Sequence, residues 1–234
     1  ELINIFSDRN KDYATLNTIY KRHYESIIRT GVEIADENLV SRLLKKDLDF
    51  TFLNKVIEEN KNVGNFELKL FRDIPEYIHQ ELVFYRNEVR NDQYEFNPKK
   101  KNVSEFTMND MQNWVKDMKD ENDIFYMYAL FDKEKIAAYC SVCTITIDNK
   151  PAIDHGGNLT SVGRIYRGKG FAKYLKAKMY LKIQEDYPDF EQIITDTYPW
   201  NKYMYRINEE FGFKPYQMGY TFRFTKEFLE SYLK

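Results

Sequence analysis

SVGRIYRGKGFAKYL, residues 161–175, passes from one periodicity to another. Upstream, Ala152 to Val162 reads as a strand. Downstream, Ala172, Leu175, Met179 and Ile183 fall on one face of a helix, with Lys169, Lys173 and Lys176 on another. A strand, a glycine-bearing loop and a helix in that order turn backbone N–H groups and a helix N-terminus toward an anion. Gly168 and Gly170 let the backbone come close and take positive φ at little cost. Arg167 and Lys169 add positive charge. A tight turn with solvated charges would use the same residues.

GRIYRGK also satisfies the first seven positions of a Walker loop, G-x-x-x-x-G-K. The eighth, which should supply a hydroxyl for Mg²⁺, is Gly170 and has none. Asp196, ending QIITD, imitates the acid of such a site. A nucleotide-dependent phosphotransferase therefore rests on that heptad and little else.

Around this loop the elements read as one mixed α/β sheet with flanking helices. FELKLF (66–71), IFYMYALF (124–131) and KIAAYCSVCTITI (135–147) read as strands. Pro75 to Glu88 and Asn109 to Met118 read as helices, and NPKKKN (97–102) as a loop. QIITDTY (192–198) is a strand, PWNKYMYRINEEF a helix stopped by Gly212, and YTFRF (220–224) a last strand. Residues 1–63 read as a mainly helical N-terminal segment, with helices over Asp12–Thr30 and from Asp36 through Leu44. The polar stretch ENKNVGN (59–65) separates it from a second unit, 64–234.

The chain can bury a sizeable core, with 43% hydrophobic and 16% aromatic residues among 234. A net charge of −2 argues against a general nucleic-acid or membrane-surface binder, and Lys99–Lys101 is the only dense basic run. No apolar run approaches the roughly 20 residues that span a bilayer, so a cytoplasmic protein is expected. Cys140 and Cys143 form a C-x-x-C, but on a strand they point to opposite faces, and no second Cys or His cluster completes a zinc site. They are expected to be reduced thiols, and no metal is expected.

On the helix after QIITDTY, Asn201, Met204, Tyr205 and Asn208 share one face. An amide on an apolar stripe needs partners, or it costs about 1–3 kcal/mol. Asn201 could cap the helix; Asn208, further in, asks for a partner such as an amide-containing ligand.

With these residues in view, SVGRIYRGKGFA resembles the acyl-CoA-binding signature of the GNAT superfamily of N-acetyltransferases, R/Q-x-x-G-x-G/A, met at Arg167, Gly170 and Ala172. Asn201, Met204, Asn208, Gly212 and Phe213 are similar to the second half of that signature in the mycothiol-synthase-like, often tandem, subgroup. The resemblance covers about residues 66–224 and makes residues 1–63 a candidate remnant of a first acetyltransferase repeat or, equally, a helical extension that packs on the sheet or shapes the substrate site.

The resemblance implies a GNAT-like fold, acetyl-CoA as co-substrate and a primary amine, on a small molecule or peptide, as acceptor. Two strands would splay apart around the pantetheine arm. Val162 would bond the pantetheine, and amides of Arg167, Gly168, Lys169, Gly170, Phe171 and Ala172 would cradle the pyrophosphate. Asn201, Met204 and Asn208 would face the cofactor. The family often places a Tyr four residues before the glycine of G-F, where this chain has Asn208; Tyr205 is the nearest substitute as proton donor. Asp154 and His155 are candidate bases on the strand before the loop, and alternation lets only one face a cleft. His155 has a suitable ordinary pKa, near 6.5, and Gly156-Gly157 after it suggests a bulge. No nucleic-acid or membrane partner is expected, and a homodimer is compatible. The alternative is a catalytically weak acyl-CoA sensor or assembly module.

Overall fold

In the computed structural model, the described residues are 5–7, 13–18, 21–95, 105–120, 124–156, 160–225 and 228. The chain runs β1 (Ile5–Ser7), β2 (Tyr13–Thr18), α1 (Lys21–Ile28), β3 (Glu33–Leu44), α2 (Phe50–Glu59), β4 (Glu67–Phe71), α3 (His79–Glu95) and α4 (Met108–Asp120). It continues through β5 (Phe125–Asp132), β6 (Lys135–Ile147), β7 (Lys150–Asp154), β8 (Thr160–Val162), α5 (Phe171–Asp186), β9 (Gln192–Thr197), α6 (Lys202–Glu210) and β10 (Lys214–Thr225).

All ten strands join one sheet in the order β1-β2-β10-β3-β9-β7-β6-β5-β4, with β8 beside β6. Only β7 and β9 pair in parallel; every other described pair is antiparallel. The β6–β7 hairpin closes on Asp148 and Asn149, both left-handed at φ 51° and 61°, where short polar side chains are tolerated. Two apolar layers cover the sheet. Leu175, Met179 and Ile183 of α5 pack with Leu43, Ile153 and Ile193 on one face. On the other, Leu82 of α3 and Met111 of α4 pack with Phe125, Met127 and Tyr139.

The mixed α/β sheet with flanking helices matches the reading of the sequence, but the mainly helical N-terminal segment does not. The helix expected over Asp12–Thr30 is strand β2 followed by the shorter α1, and the one expected from Asp36 is β3. Leu39, Val40, Leu43 and Leu44 satisfy a helical spacing, yet β3 is hydrogen-bonded to β10 on one side and β9 on the other. Ser41 and Leu43 are buried on one face and Val40 on the other, so a covered interior strand need not alternate cleanly. The polar stretch at 59–65 contains a 3₁₀ turn, Lys61–Asn65, and the strands on its two sides share the sheet. The NPKKKN loop lies outside the described residues. No helix among the described residues is long and apolar enough to cross a membrane.

Leu43, 1% exposed on β3, tests the placement of that strand. Leu43→Ala is expected to cost about 2–5 kcal/mol in urea unfolding, as for a core leucine; a loss under about 1 kcal/mol would contradict it.

Candidate functional site

The single strand expected from Ala152 to Val162 is broken in two, and the break opens the sheet. β7 pairs with β9 through Ala152↔Gln192, Ile153↔Ile193 and Asp154↔Ile194, and His155 N donates to Ile194 O at 2.9 Å. Beyond that bond the two sides part. β8 pairs with β6 through Ala138↔Val162 and Tyr139↔Ser161, and among the described residues it makes no pair with β9. Gly163 N donates to Ala137 O, so antiparallel alternation turns the N–H and C=O of Val162 away from β6 and into the opening. The same alternation from Ile194 turns those of Asp196 into it from the other side. The far edge of β9 stays paired with β3 through Leu39↔Thr197, Val40↔Asp196 and Ser41↔Thr195.

The opening leads to the 164–171 turn. Gly170 is the N-cap of α5 at φ 80° and makes no side-chain cap hydrogen bond. The first-turn N–H groups of a helix have no partner within it, so those of Phe171 and Ala172 are available at the positive end of the helix. Gly168, at φ 76°, has open space where a Cβ would stand. At Gly170 a Cβ would collide with Asn60 Oδ1 at the end of α2. A bare, uncapped backbone beside an opened strand edge suits a diphosphate joined to a thin amide-bearing chain, as in acetyl-CoA.

The side chains of the loop do structural work. Arg167 binds the Asp92 and Glu88 carboxylates of α3 and donates from Nε to Val162 O at 3.1 Å. Arg164 binds Asp92 as well, and the two guanidiniums hold that carboxyl below its usual range although burial opposes them. Lys169 lies over the Tyr166 ring at 5.4 Å, and the Phe171 side chain is buried against Phe66.

The polar side chains beneath α5 and along α6 find their partners within the chain. His155 does not face the opening: it is 3% exposed, with Nδ1 2.8 Å from the Tyr180 hydroxyl and Nε2 2.8 Å from Thr160 Oγ1. Burial, and then the Lys176 charge, hold it well below 6.5, so it is neutral in the core. Lys176, set by its spacing on a face apart from the apolar stripe, is nevertheless 1% exposed and donates to Asn208 Oδ1 at 3.0 Å. Asn208 in turn donates to Thr197 Oγ1 at 3.0 Å, so this chain itself supplies the partners that a ligand was expected to supply. Asn201 is the N-cap of α6, accepting from Met204 N at 3.2 Å. Tyr205 is hydrogen-bonded to Glu209 on its own helix, which raises its pKa.

Asp154, by alternation, lies on the sheet face away from α5 and accepts from Gly156 N at 2.7 Å. Gly157, the second half of the expected bulge, lies outside the described residues. The same face carries Asp196, which the sequence offered only as a Walker-like acid. Its Oδ2 accepts from Asn38 Nδ2 of β3 at 2.5 Å. Burial raises its pKa; the Asn38 bond and its own backbone N–H work against the rise, and the Asp36 charge adds to it. Asp36 Oδ2 accepts from the Tyr198 hydroxyl at 2.7 Å, and Tyr198 stacks on Trp200 at 5.0 Å. An aspartate inside the β-branched run QIITDT was the visible signal; nothing in the sequence joined it to Asn38, 158 residues away.

No family model matches this sequence, and no curated protein is similar to it. Solved structures are similar in fold. A tandem GNAT protein from the clavulanic acid biosynthesis pathway (without AcCoA) aligns at a TM-score of 0.65 and 14% identity, over 91% of this chain and 63% of that one. A GCN5-related N-acetyltransferase from Sphaerobacter thermophilus aligns at 0.50 and 10% identity, over 91% and 60%. The chain has the GNAT fold, and it spans less than two thirds of the length of either protein.

The buried lysine makes a prediction. Burial lowers Lys176 from 10.5 to about 8, whereas burial raises Cys140 from 9.0 to about 11. Between about pH 8 and 9 the unfolded chain therefore holds a Lys176 proton that the folded chain is losing, so stability rises with pH. The gain is about 1 kcal/mol over that unit; above it, the Cys140 thiol opposes the trend. Lys176→Met is expected to flatten the rise in urea unfolding series, and a slope equal to wild type would contradict the assignment.

Proposed function

We propose that this chain is an acetyl-CoA-dependent N-acetyltransferase that moves an acetyl group to a primary amine within a ternary complex. The observation that carries the reading is the parting of β8 from β9 directly before the uncapped N-terminus of α5. The opened edges offer the Val162 N–H and the Asp196 C=O to an amide-bearing arm, while Arg167 holds the Val162 carbonyl. The turn offers amides from Gly168 to Ala172 to a diphosphate, without a metal, and each favourable charge there gains about 0.3–1 kcal/mol from the helix dipole. The GNAT fold supports the same reaction class.

A second reading, an acyl-CoA sensor, is favoured by Asn208, whose amide is committed to Lys176 and Thr197 where many family members have a phenol. Thiol release from acetyl-CoA with any member of an amine panel would eliminate it.

Acetyl-CoA, and not Mg-ATP, is expected to raise the melting temperature; the reverse pattern would contradict the proposal. Gly170→Asp, whose side chain must displace Asn60 and adds a negative charge beside the turn, is expected to weaken acetyl-CoA binding at least tenfold, about 1.4 kcal/mol. Lys169→Glu, a surface change that leaves folding intact, is expected to weaken it severalfold in calorimetry. Wild-type affinity in both variants would overturn the loop assignment.

A further inference from the structure

We infer that Asp196 accepts the proton of the incoming amine and that β3 builds its seat, with Asn38 holding the carboxyl in place. The inference rests on the acyl-transfer reading.

Two glycines point to it. Gly156 and Gly219 do not adopt positive φ, so backbone conformation does not demand glycine at either position. Space does. A Cβ at position 156 would collide with Asp196 Oδ1 and stand 3.1 Å from the Asp196 backbone nitrogen. A Cβ at position 219, opposite Asn38 on β10, would collide with Asn38 Oδ1 and stand 3.1 Å from its Cγ. Glycines on β10 and just past β7 thus leave room for a carboxyl and an amide that meet between β9 and β3. Gly156 makes room for the carboxyl itself, and Gly219 makes room for the Asn38 amide that holds it.

The position suits the chemistry. The Asp196 backbone borders the opening, and its side chain stands on the face away from the buried α5 layer. Burial raises the carboxyl's affinity for a proton. The charged group that acts on it is Asp36 of β3, whose carboxylate accepts from the Tyr198 hydroxyl just past β9, and Asp154 at the end of β7 lies on the same sheet face. Arg42, further along β3, lies over the Tyr216 ring at 4.2 Å. An arriving ammonium gives one proton to the Asp196 carboxylate. The freed lone pair forms the C–N bond, the C–S bond breaks, and sulfur leaves with that electron pair. The second proton shed by nitrogen goes to the thiolate, and Asp196 returns its own to solvent.

Asn38 is a positioning residue. Its hydrogen bond favours the charged carboxylate, so its loss raises the Asp196 pKa further. The acidic limb of kcat/KM, where activity falls as the base becomes protonated, then moves to higher pH.

The test uses acetyl-CoA with spermidine, lysine, an aminoglycoside and a short peptide as amines, following thiol release against pH, with acetyl-CoA binding measured separately. Asp196→Asn keeps an acceptor for Asn38 and is expected to bind acetyl-CoA like wild type. Its kcat/KM at pH 7 should fall by about 10²–10⁴ and climb tenfold per pH unit toward the amine's own pKa. Asp196→Glu should restore part of the rate, and Asn38→Ala should shift the acidic limb upward. An Asp196→Asn enzyme with the wild-type rate and profile overturns the assignment and leaves acyl transfer standing. An unmoved limb in Asn38→Ala overturns the part given to β3. A wild-type chain that binds no acetyl-CoA, or releases no thiol with every amine, overturns the acyl-transfer reading and this inference together.

Discussion

A strand in a sheet has two edges to satisfy, and β9 satisfies one of them over its whole length and the other over only half. β3 covers the first edge from Gln192 to Thr197, while β7 covers the second only as far as Ile194. Because β8 follows β6 instead, among the described residues no strand pairs with the Val162 N–H or the Asp196 C=O. An unpaired strand edge inside a fold is costly to leave dry. A ligand that carries its own amides is one way to satisfy it.

The gap would be of little use if α5 could shift. Its N-terminus must sit at the end of the opening, and the helix is fixed there by more than apolar contacts. Lys176 reaches Asn208, and Asn208 reaches Thr197 on β9. Tyr180, one turn on, reaches His155, which in turn contacts Thr160 on β8. The helix is thus tied by hydrogen bonds to both of the strands that part beneath it. A buried polar network with its partners in place specifies one arrangement of its elements. Arg164 and Arg167 extend the restraint by tying the turn to α3.

The signals legible in the sequence were those carried by neighbours in the chain. The change from strand to helix around Gly170 is local, and β6 and β9 coincide closely with runs of β-branched residues. β3 was misread because Leu39, Val40, Leu43 and Leu44 fit a helical stripe, and only pairing with two strands from the far end of the chain makes them extended. Asn208 on the α6 stripe needs partners, as its spacing implies, but one partner is Lys176 of α5, which periodicity set apart from the apolar face of its helix. Asp196 illustrates the limit most clearly: its neighbours Asn38 and Gly156, and Gly219 behind Asn38, come from three other segments, and their meeting is a property of sheet order alone.

The central claim is that the gap between β8 and β9 and the turn before α5 form one seat for an acyl-CoA. Titrating the ¹⁵N-labelled chain with coenzyme A, which binds without reacting, tests it most directly by amide chemical shifts. The account predicts that the largest changes fall at Val162, at Gly168 to Ala172, and at Thr195 and Asp196. Saturating changes confined to other residues, or none at millimolar coenzyme A, would contradict it.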